Sequence, residues 1–385
     1  MKKILLTAVL LPIVGVGLWL YFSPRGLPDY GPAYREYAYI TNGKSNTVSV
    51  IDLRAFEPLK TIKVGSEPTG VAANSKKNEV YVVNTSSSNI SVIDAERNQV
   101  VATIGVHGKP YFIDVSADGK RAYVANSASA NVSVIDLDKR LLLGNVPVGS
   151  SPGLAKVAPD GRTIVVSNRE DNTVSIIDSA HLSVRATIAV CQQPQAIAIL
   201  PDSSKTFVAC PGSAQVASID LKTDKLLAFL DVGRTPTDLV LKPDGGELIV
   251  CNFDSNSISI IETANNEVGG SYLIGQKPSR GVVSADNSRL YVSNFGSNAV
   301  SVYDIDLGRV IATIGVGSGP DALALMPSQN DLLVLDSQSG DASLIHRKLN
   351  PKKFEREYNL LVIIPLGVQP NNIAVKAFML NKAPK

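Results

Sequence analysis

Short apolar segments with an alternating pattern recur along almost the whole chain, separated by loops rich in Ser, Gly, Asn and Asp. A typical unit contains Arg121-Ala-Tyr-Val-Ala-Asn126, a polar loop and Asn131-Val-Ser-Val-Ile-Asp136. A third alternating segment follows, then a Gly-x-x-Pro loop, a fourth apolar segment and a turn such as Asp118-Gly119. Alternation with a period of two, without a helical period, indicates strands joined by tight turns. Each unit therefore predicts four antiparallel β-strands.

Three independent markers give this unit a period of 42 residues. They are the residue that ends the first strand, the acid that closes the next strand, and the proline of the Gly-x-x-Pro loop. The strand ends are Asn42, Asn84, Asn126, Asn168, Cys210, Asn252, Asn294 and Asp336. The closing positions are Asp52, Asp94, Asp136, Asp178, Asp220, Glu262, Asp304 and His346, and the prolines are Pro68, Pro110, Pro152, Pro194, Pro236, Pro278 and Pro320. A chain of 385 residues could hold two or three domains, but the repeat assigns nearly all of it to one array.

Four-stranded units of this kind predict an all-β fold, a β-propeller, because a ring of blades buries both faces of each sheet. We predict eight blades. The domain begins on a second strand and ends on a first strand, so its two terminal strands pair to close the ring. The last Gly-x-x-Pro copy, Gly367 to Pro370, is displaced by a charged segment, Arg347 to Tyr358, which we interpret as a long exposed loop. Because Asp336 and His346 depart from the pattern, a seven-bladed ring is the alternative.

The N-terminus differs from the repeats. Met1-Lys2-Lys3 precedes an apolar run from Ile4 to Phe22, which is long enough to cross a bilayer as one helix. We predict a single uncleaved transmembrane helix, with a cleaved signal peptide as the alternative. Either interpretation places the propeller outside the cytoplasm, in the periplasm or at the cell surface. The predicted organisation is an anchor or signal peptide at residues 1–25, a Pro-rich linker at 26–36, the propeller at 37–378 and a tail at 379–385.

Composition excludes several classes of function. The net charge of +2 provides no general basic field for nucleic acid. Three cysteines do not form a disulfide scaffold, and three separated histidines do not predict a metal site. Gly149-Ser-Ser-Pro-Gly153 matches the nucleophile-elbow pattern, but it is one copy of the repeated loop and no helix follows. We therefore expect no cofactor, no metal and no recognised catalytic motif.

The segments Tyr81-Val-Val-Asn84 and Tyr291-Val-Ser-Asn294, with the Val-Ser-Val-Ile-Asp strands, resemble the YVTN β-propeller repeat family, also called YncE-like. The resemblance extends from about Glu36 to Phe378. It implies an exported propeller, mostly without an established activity, and it transfers no catalytic residue. Family members commonly have seven blades, so the eight repeats of this chain depart from the family pattern.

Function in a ring is expected where the repeats differ. The Asn-containing loops and the Gly-x-x-Pro loops share one end of the blades, which we call the Asn-loop face. The strand after Gly-x-x-Pro is predicted to be innermost, so the residues just after its proline line the central channel. The candidate ligand-binding residues, which include a histidine in place of the loop glycine, are Asp238, Arg280, Tyr111, Phe112, Gln195, Asp321, Asn372 and His107. The Asn loops add Arg169, Glu170, Asp171, Phe253, Asp254 and Phe295; a solvated loop face with an Asp238–Arg280 ion pair is the alternative.

The repeated Asn and Asp residues are interpreted as structural. An Asn side chain can bond its own loop backbone, and the closing Asp can cap the following turn. Cys191 replaces a loop glycine and Cys210 replaces the strand-end Asn on the antiparallel neighbour, so the two can form a disulfide in an oxidising compartment. Cys251 is out of phase and is expected to be a buried free thiol.

These observations favour a binding or scaffold module of the cell envelope that presents its Asn-loop face to a protein, a glycan or a small ligand. The alternative is a channel-mouth hydrolase such as a lactonase, with Asp238, Arg280, Asp321 and His107 as its polar groups. A further alternative is a DNA-binding propeller, which needs a basic face, whereas the channel rim mixes both signs of charge.

Overall fold

A computed structural model describes residues 31–350 and 355–380 of the chain. The chain divides into two compact units, residues 36–377 and residues 1–35 together with 378–385. Within the described residues no helix is both long and apolar enough to cross a membrane. The predicted membrane helix at residues 1–25 lies outside them.

The described residues form eight four-stranded antiparallel sheets, the blades of a propeller. The innermost strands of neighbouring blades contact each other around the centre. Strands are given from innermost to outermost. Blade 1 contains Pro370–Met379, Tyr34–Asn42, Thr47–Asp52 and Glu57–Lys63; blade 2, Pro68–Ala73, Glu79–Asn84, Asn89–Asp94 and Gln99–Gly105; blade 3, Pro110–Val115, Arg121–Asn126, Asn131–Asp136 and Leu141–Pro147; blade 4, Pro152–Val157, Thr163–Asn168, Thr173–Asp178 and Ser183–Ala189. Blade 5 contains Ile197–Ile199, Lys205–Cys210, Gln215–Asp220 and Lys225–Asp231; blade 6, Pro236–Leu241, Glu247–Asn252, Ser257–Glu262 and Glu267–Leu273; blade 7, Pro278–Val283, Arg289–Asn294, Ala299–Asp304 and Arg309–Gly315; blade 8, Pro320–Leu325, Asp331–Asp336, Asp341–Asn350 and Glu355–Pro365. A one-turn 3-10 helix, Phe253–Ser255, follows the second strand of blade 6.

The predicted eight blades and their closure are confirmed, and the seven-bladed alternative is wrong. The C-terminal strand Pro370–Met379 lies beside Tyr34–Asn42 in blade 1. The adjoining loops are also bonded, because the Gly43 N–H donates to the Gln369 carbonyl at 3.0 Å and the Val368 N–H donates to Ser45 Oγ at 2.6 Å. Separating the chain ends would therefore break a sheet as well as a loop contact.

The hydrophobic core lies between blades. One buried cluster joins Tyr81 and Ile90 of blade 2 to Ile113 and Val124 of blade 3, and corresponding clusters join the other neighbouring blades from blade 3 round to blade 1. The alternating pattern places apolar side chains on both sheet faces, and each face is covered by the next blade.

The strand-end Asn is structural, but its bond differs from the one expected. In six blades its Nδ2 donates to the Oγ of a serine seven residues later on the third strand, at 2.8–2.9 Å. The side chain is fully buried, and in five of these blades it packs against the glycine that opens the Gly-x-x-Pro loop; blade 3 has His107 in that place. The repeat is therefore held together by a Gly–Asn–Ser contact rather than by an Asn bond within its own loop.

We predict that Gly233→Ala destabilises the protein by about 1–2 kcal/mol. A Cβ at Gly233 would lie 2.6 Å from Asn252 Cγ and 2.7 Å from Asn252 Cβ, and this buried side chain has no space to move. Gly315→Ala is the matched control, because a Cβ there has no neighbour within 4 Å. Urea unfolding of both variants tests the prediction, and an equal change in both would contradict it.

The closing Asp caps the turn that follows, as predicted. Asp52 Oδ1, for example, accepts the N–H groups of Arg54 at 2.9 Å and Ala55 at 3.2 Å. The charged segment Arg347 to Tyr358 is not a long loop, however. Its described parts continue the two outer strands of blade 8, pairing Arg347 with Tyr358 and Asn350 with Glu355. The alternation of polar and apolar residues is weak there, which is why the pattern alone predicted a loop.

Candidate functional site

A central cavity of about 360 Å³ opens where the innermost strands converge. Every blade contributes at least one of its lining residues. Seven of the eight predicted ligand-binding residues line it: Tyr111, Phe112, Gln195, Asp238, Arg280, Asp321 and Asn372. Arg169, from the loop after Asn168, also lines the cavity, so its mouth lies on the Asn-loop face.

On one side of the cavity, Arg280 interacts with two carboxylates. Its Nε lies 4.0 Å from Asp321 Oδ1, and 49% and 36% of these two side chains are exposed. Asp238 Oδ2 accepts a hydrogen bond from the Gly281 N–H at 3.0 Å, which ties blade 6 to blade 7. Desolvation opposes the charge of Arg280, but Asp238 and then Asp321 outweigh it and raise the pKa of the guanidinium. The pair at contact distance is therefore Arg280 with Asp321, while Asp238 acts on Arg280 through its charge.

The positive charge of Arg280 only partly offsets the cost of burying the negative charge of Asp321. Burial raises its pKa, the charge of Arg280 lowers it, and the charge of Asp238 raises it again, so the net pKa lies above the ordinary value. A hydrogen-bond donor brought by a ligand would stabilise the ionised carboxylate.

The other side of the cavity combines cations with aromatic rings. Lys156 Nζ lies 4.7 Å from the centroid of the Phe112 ring and 4.0 Å from Asp114 Oδ1. Arg169 Cζ lies 5.6 Å from the centroid of Tyr111, a side chain that is 44% exposed. Arg169 also donates from Nε to the Ser151 carbonyl at 3.3 Å and from Nη2 to Ser151 Oγ at 3.4 Å. Among the described residues, the only carboxylate near either cation is Asp114, 4.0 Å from Lys156, so both keep attraction for an anionic group.

His107 lies outside the cavity, which corrects its place among the predicted residues. Its Nδ1 lies 3.0 Å from Asn131 Nδ2 and its Nε2 lies 3.1 Å from Asn145 Nδ2. The ring replaces the loop glycine and points along blade 3 toward these carboxamides instead of toward the centre. A lactonase site built from Asp238, Arg280, Asp321 and His107 is therefore not assembled.

Cys191 and Cys210 form a disulfide, with their Cα atoms 5.6 Å apart. They occupy the places of the loop glycine and the strand-end Asn, and Ala217 occupies the place of the serine. The three residues pack together, so blade 5 replaces the Gly–Asn–Ser contact with a covalent bond over an alanine. Cys251 is a buried free thiol, as predicted.

The innermost strand of blade 5 is shorter than the sequence suggests. It comprises only Ile197–Ile199, whereas the pattern predicts a strand that begins at Pro194. The Gln195 N–H still donates to the Ala209 carbonyl at 2.9 Å, which keeps Gln195 at the cavity.

Sequence reasoning missed Lys156, although a signal for it exists. Residues two and four places after the proline lie on the same face of the innermost strand. The fourth place holds Asp114 in blade 3 and Lys156 in blade 4, and it is apolar in the other blades. Asp114 accepts the N–H of Val157 from the next blade at 3.0 Å, just as Asp238 accepts that of Gly281. Comparing the repeats at the fourth place after the proline, as well as at the second, would have found this second pair of an aspartate and a cation.

Solved structures share this fold at low sequence identity. Dihydro-heme d1 dehydrogenase NirN matches with a TM-score of 0.70 and 14% identity, covering 88% of this chain and 74% of that chain. Kuenenia stuttgartiensis hydrazine synthase matches with a TM-score of 0.57 and 21% identity, covering 69% and 91%. A functionally unknown protein from Desulfotomaculum acetoxidans matches with a TM-score of 0.60 and 16% identity, covering 88% and 98%. Identities this low support the propeller fold alone.

A search of curated proteins found no match to this chain. The model of the YNCE-like beta-propeller family matches residues 26–158, which include the predicted linker and the first repeats. The resemblance to YncE-like propellers that the repeats predict is therefore confirmed, and the family match covers residues 26–158.

Proposed function

We propose that this protein is a membrane-tethered binding module of the cell envelope that holds a small polar ligand in the mouth of its central cavity. One observation carries the proposal: seven residues chosen because they break the repeat line a single cavity on one face. Residues that serve only the ring should follow the repeat, whereas these differ from blade to blade. A concave site with a few convergent polar groups is the usual form of a ligand site.

The proposed location outside the cytoplasm rests on two features. The apolar run from Ile4 to Phe22 has the length of a membrane helix and follows two lysines. The disulfide between Cys191 and Cys210 fits an oxidising compartment such as the periplasm or the cell surface. N-terminal sequencing of the mature protein tests the tether, because a chain that begins beyond residue 23 would show that the segment is removed.

We predict that Arg280→Gln weakens ligand binding by at least about tenfold, the cost of one charged hydrogen bond. The full-length chain is equilibrated with small molecules extracted from native envelopes, and bound species are measured by native mass spectrometry. His107→Gln is the matched control, because this polar residue of the Asn-loop face lies outside the cavity and should keep the ligand. Retention by Arg280→Gln, or absence of any bound species, would contradict the proposed function.

A hydrolase remains the second candidate because Asp321 has a raised pKa beside a cation, as an acid–base residue requires. It now lacks a histidine partner in the cavity. Turnover of lactones or esters by the native chain, abolished by Asp321→Asn, would favour this alternative.

A further inference from the structure

We propose that the ligand is an acidic oligosaccharide, with a terminal sugar acid in the central cavity and the next sugars in a groove over Phe253 and Phe295. This inference rests on the proposed function, because the groove continues from the same cavity. It is carried by the chemistry of the two cavity walls and by the residues that extend the site outward.

The cavity separates an anion-binding wall from a hydroxyl-binding wall. The first contains Arg169 and Lys156 from blade 4, which lie over the rings of Tyr111 and Phe112. Nε and Nη2 of Arg169 donate to Ser151, so a ligand carboxylate can bind the guanidinium from its Nη1 side, with the ammonium of Lys156 to add charge. This wall therefore suits the acid group of a sugar acid.

The opposite wall suits neighbouring hydroxyl groups. Asp321 is acceptor-only when ionised, Arg280 is donor-only, and their facing atoms lie 4.0 Å apart. A hydroxyl both donates and accepts, so two adjacent hydroxyls can donate to Asp321 and accept from Arg280 at once. The raised pKa of Asp321 shows that its carboxylate gains from such a donor. One ligand that satisfies both walls carries a carboxylate at one end and a diol at the other.

The size of the cavity limits its occupant to the terminal sugar of an oligosaccharide. Its volume of about 360 Å³ is near the lower end of the ~300–1,000 Å³ range of ligand sites. Tyr111 of blade 3 and Arg280 of blade 7, on opposite sides of the ring, both line this cavity. A sugar held there must send the rest of its chain out over the Asn-loop face.

A groove leads outward from the Arg280 side. Arg280 and Asp321 also line a second cavity of about 270 Å³, together with Phe253 and Phe295. The two rings have centroids 6.1 Å apart and planes inclined at 46°. Phe295 then borders a shallow depression of about 450 Å³. The C–H face of a sugar ring packs on such aromatic surfaces, whose π faces carry negative charge.

The depression is lined by carboxamides with unused donors. Asn256 Oδ1 and Asn298 Oδ1 accept loop N–H groups at 2.9 and 3.0 Å, which fixes both side chains. Their Nδ2 groups, and the side chains of Gln276 and Gln338, make no hydrogen bond within the described residues. A carboxamide offers both donors and an acceptor, as a sugar hydroxyl does, so preorganised carboxamides can bond several hydroxyls.

The same groove disfavours a nucleic acid. Its outer depression contains one cation, Lys277, whose Nζ lies 5.4 Å from the centroid of Phe253. Binding of a single strand requires a positive track along the backbone and open aromatic faces for the bases. A single ammonium group above one ring provides neither a positive track nor a series of open aromatic faces along the groove.

Isothermal titration calorimetry of the full-length chain tests the inference with galacturonic acid, its tetramer, and neutral maltotetraose as probes. We expect the acidic tetramer to bind at least about tenfold more tightly than either the monomer or maltotetraose. Phe295→Ala should remove most of the affinity that the tetramer gains over the monomer. It should change the affinity for the monomer by no more than about twofold. Phe229→Ala is the matched control, because this 47% exposed ring lies on the outermost strand of blade 5.

Arg169→Gln should weaken both acidic probes by at least about tenfold and reduce the preference over maltotetraose. Equal binding of acidic and neutral tetramers, no binding of either, or tighter binding of a single-stranded oligonucleotide would overturn the inference. If an envelope-derived ligand depends on Arg280 but no acidic sugar binds, the proposed function stands and the ligand class is wrong. If neither binds, both fail.

Discussion

Replacing Cys191 and Cys210 together by alanine is expected to lower the free energy of unfolding by about 3 kcal/mol. The disulfide joins residues 19 apart in sequence, so its loss frees a loop of that length in the unfolded chain. Both residues are buried, and Cys210 is fully so, which means that truncation also leaves unfilled volume. Urea unfolding of the full-length chain under oxidising conditions measures the change.

The repeat itself supplies a rescue for this variant. In five other blades the same space contains a Gly–Asn–Ser contact with an Asn-to-Ser hydrogen bond of 2.8–2.9 Å. The triple variant Cys191→Gly, Cys210→Asn and Ala217→Ser rebuilds that contact in blade 5. We expect it to recover about 1–2 kcal/mol relative to the double alanine variant, from the new bond and the restored packing.

Reduction provides the control for the disulfide. The native chain should lose a similar stability in a thiol reductant, whereas neither variant should respond, because Cys251 is an unpaired buried thiol. A native chain with the same stability in oxidised and reduced form would show that the bond contributes nothing. A triple variant no more stable than the double alanine variant would show that the two kinds of contact are not interchangeable.

The sequence predicts the ring well because its determinants are local and repeated. Strand alternation, the turn residues and the loop proline recur in every unit, so eight weak signals agree on one period. The shared face of the two loop types follows from antiparallel strands alone. The paired chain ends follow from counting strands from the innermost one.

The candidate site is predicted less completely, because spacing does not give the direction of a side chain in a loop. His107 and Arg169 both lie in loops of the Asn-loop face. The histidine bonds two carboxamides of its own blade, while the arginine reaches the cavity. The sequence pattern did not predict the Gly–Asn–Ser contact either, since this contact joins two strands to a loop and depends on close approach of the loop backbone.

Asp336→Asn is expected to stabilise the protein by about 4 kcal/mol above pH 7 and to have little effect near pH 4. Asp336 stands where six blades have Asn, and its side chain is fully buried. Burial raises its pKa from 3.8 to about 7, with a hydrogen bond from Ser343 opposing the shift and the neighbouring Asp341 adding to it. Asn in this place would donate to Ser343 Oγ without any buried charge.

The sign of the pH dependence follows from proton binding. The unfolded chain releases the proton of Asp336 near pH 3.8, but the folded chain keeps it until about pH 7. Between these values the folded state binds more protons, so its stability falls as the pH rises, and the full penalty is present above pH 7. Unfolding in urea at about pH 5 and about pH 8 should show a larger difference between native and variant chains at the higher pH.

A substitution in the opposite direction separates the effect of burying a carboxyl group from the effect of the neighbouring Asp341. Asn84→Asp introduces an acid at the same position of blade 2, where the residue across the loop is the neutral Asn89 instead of Asp341. Burial of the new carboxyl group should then destabilise the folded chain at high pH, and less so at low pH. Burial is the largest cause of the raised pKa of Asp336, so it should act in the same way on an acid at position 84. If Asn84→Asp has no effect at either pH, the penalty belongs to the Asp336–Asp341 pair, and Asp341→Asn should relieve it equally well.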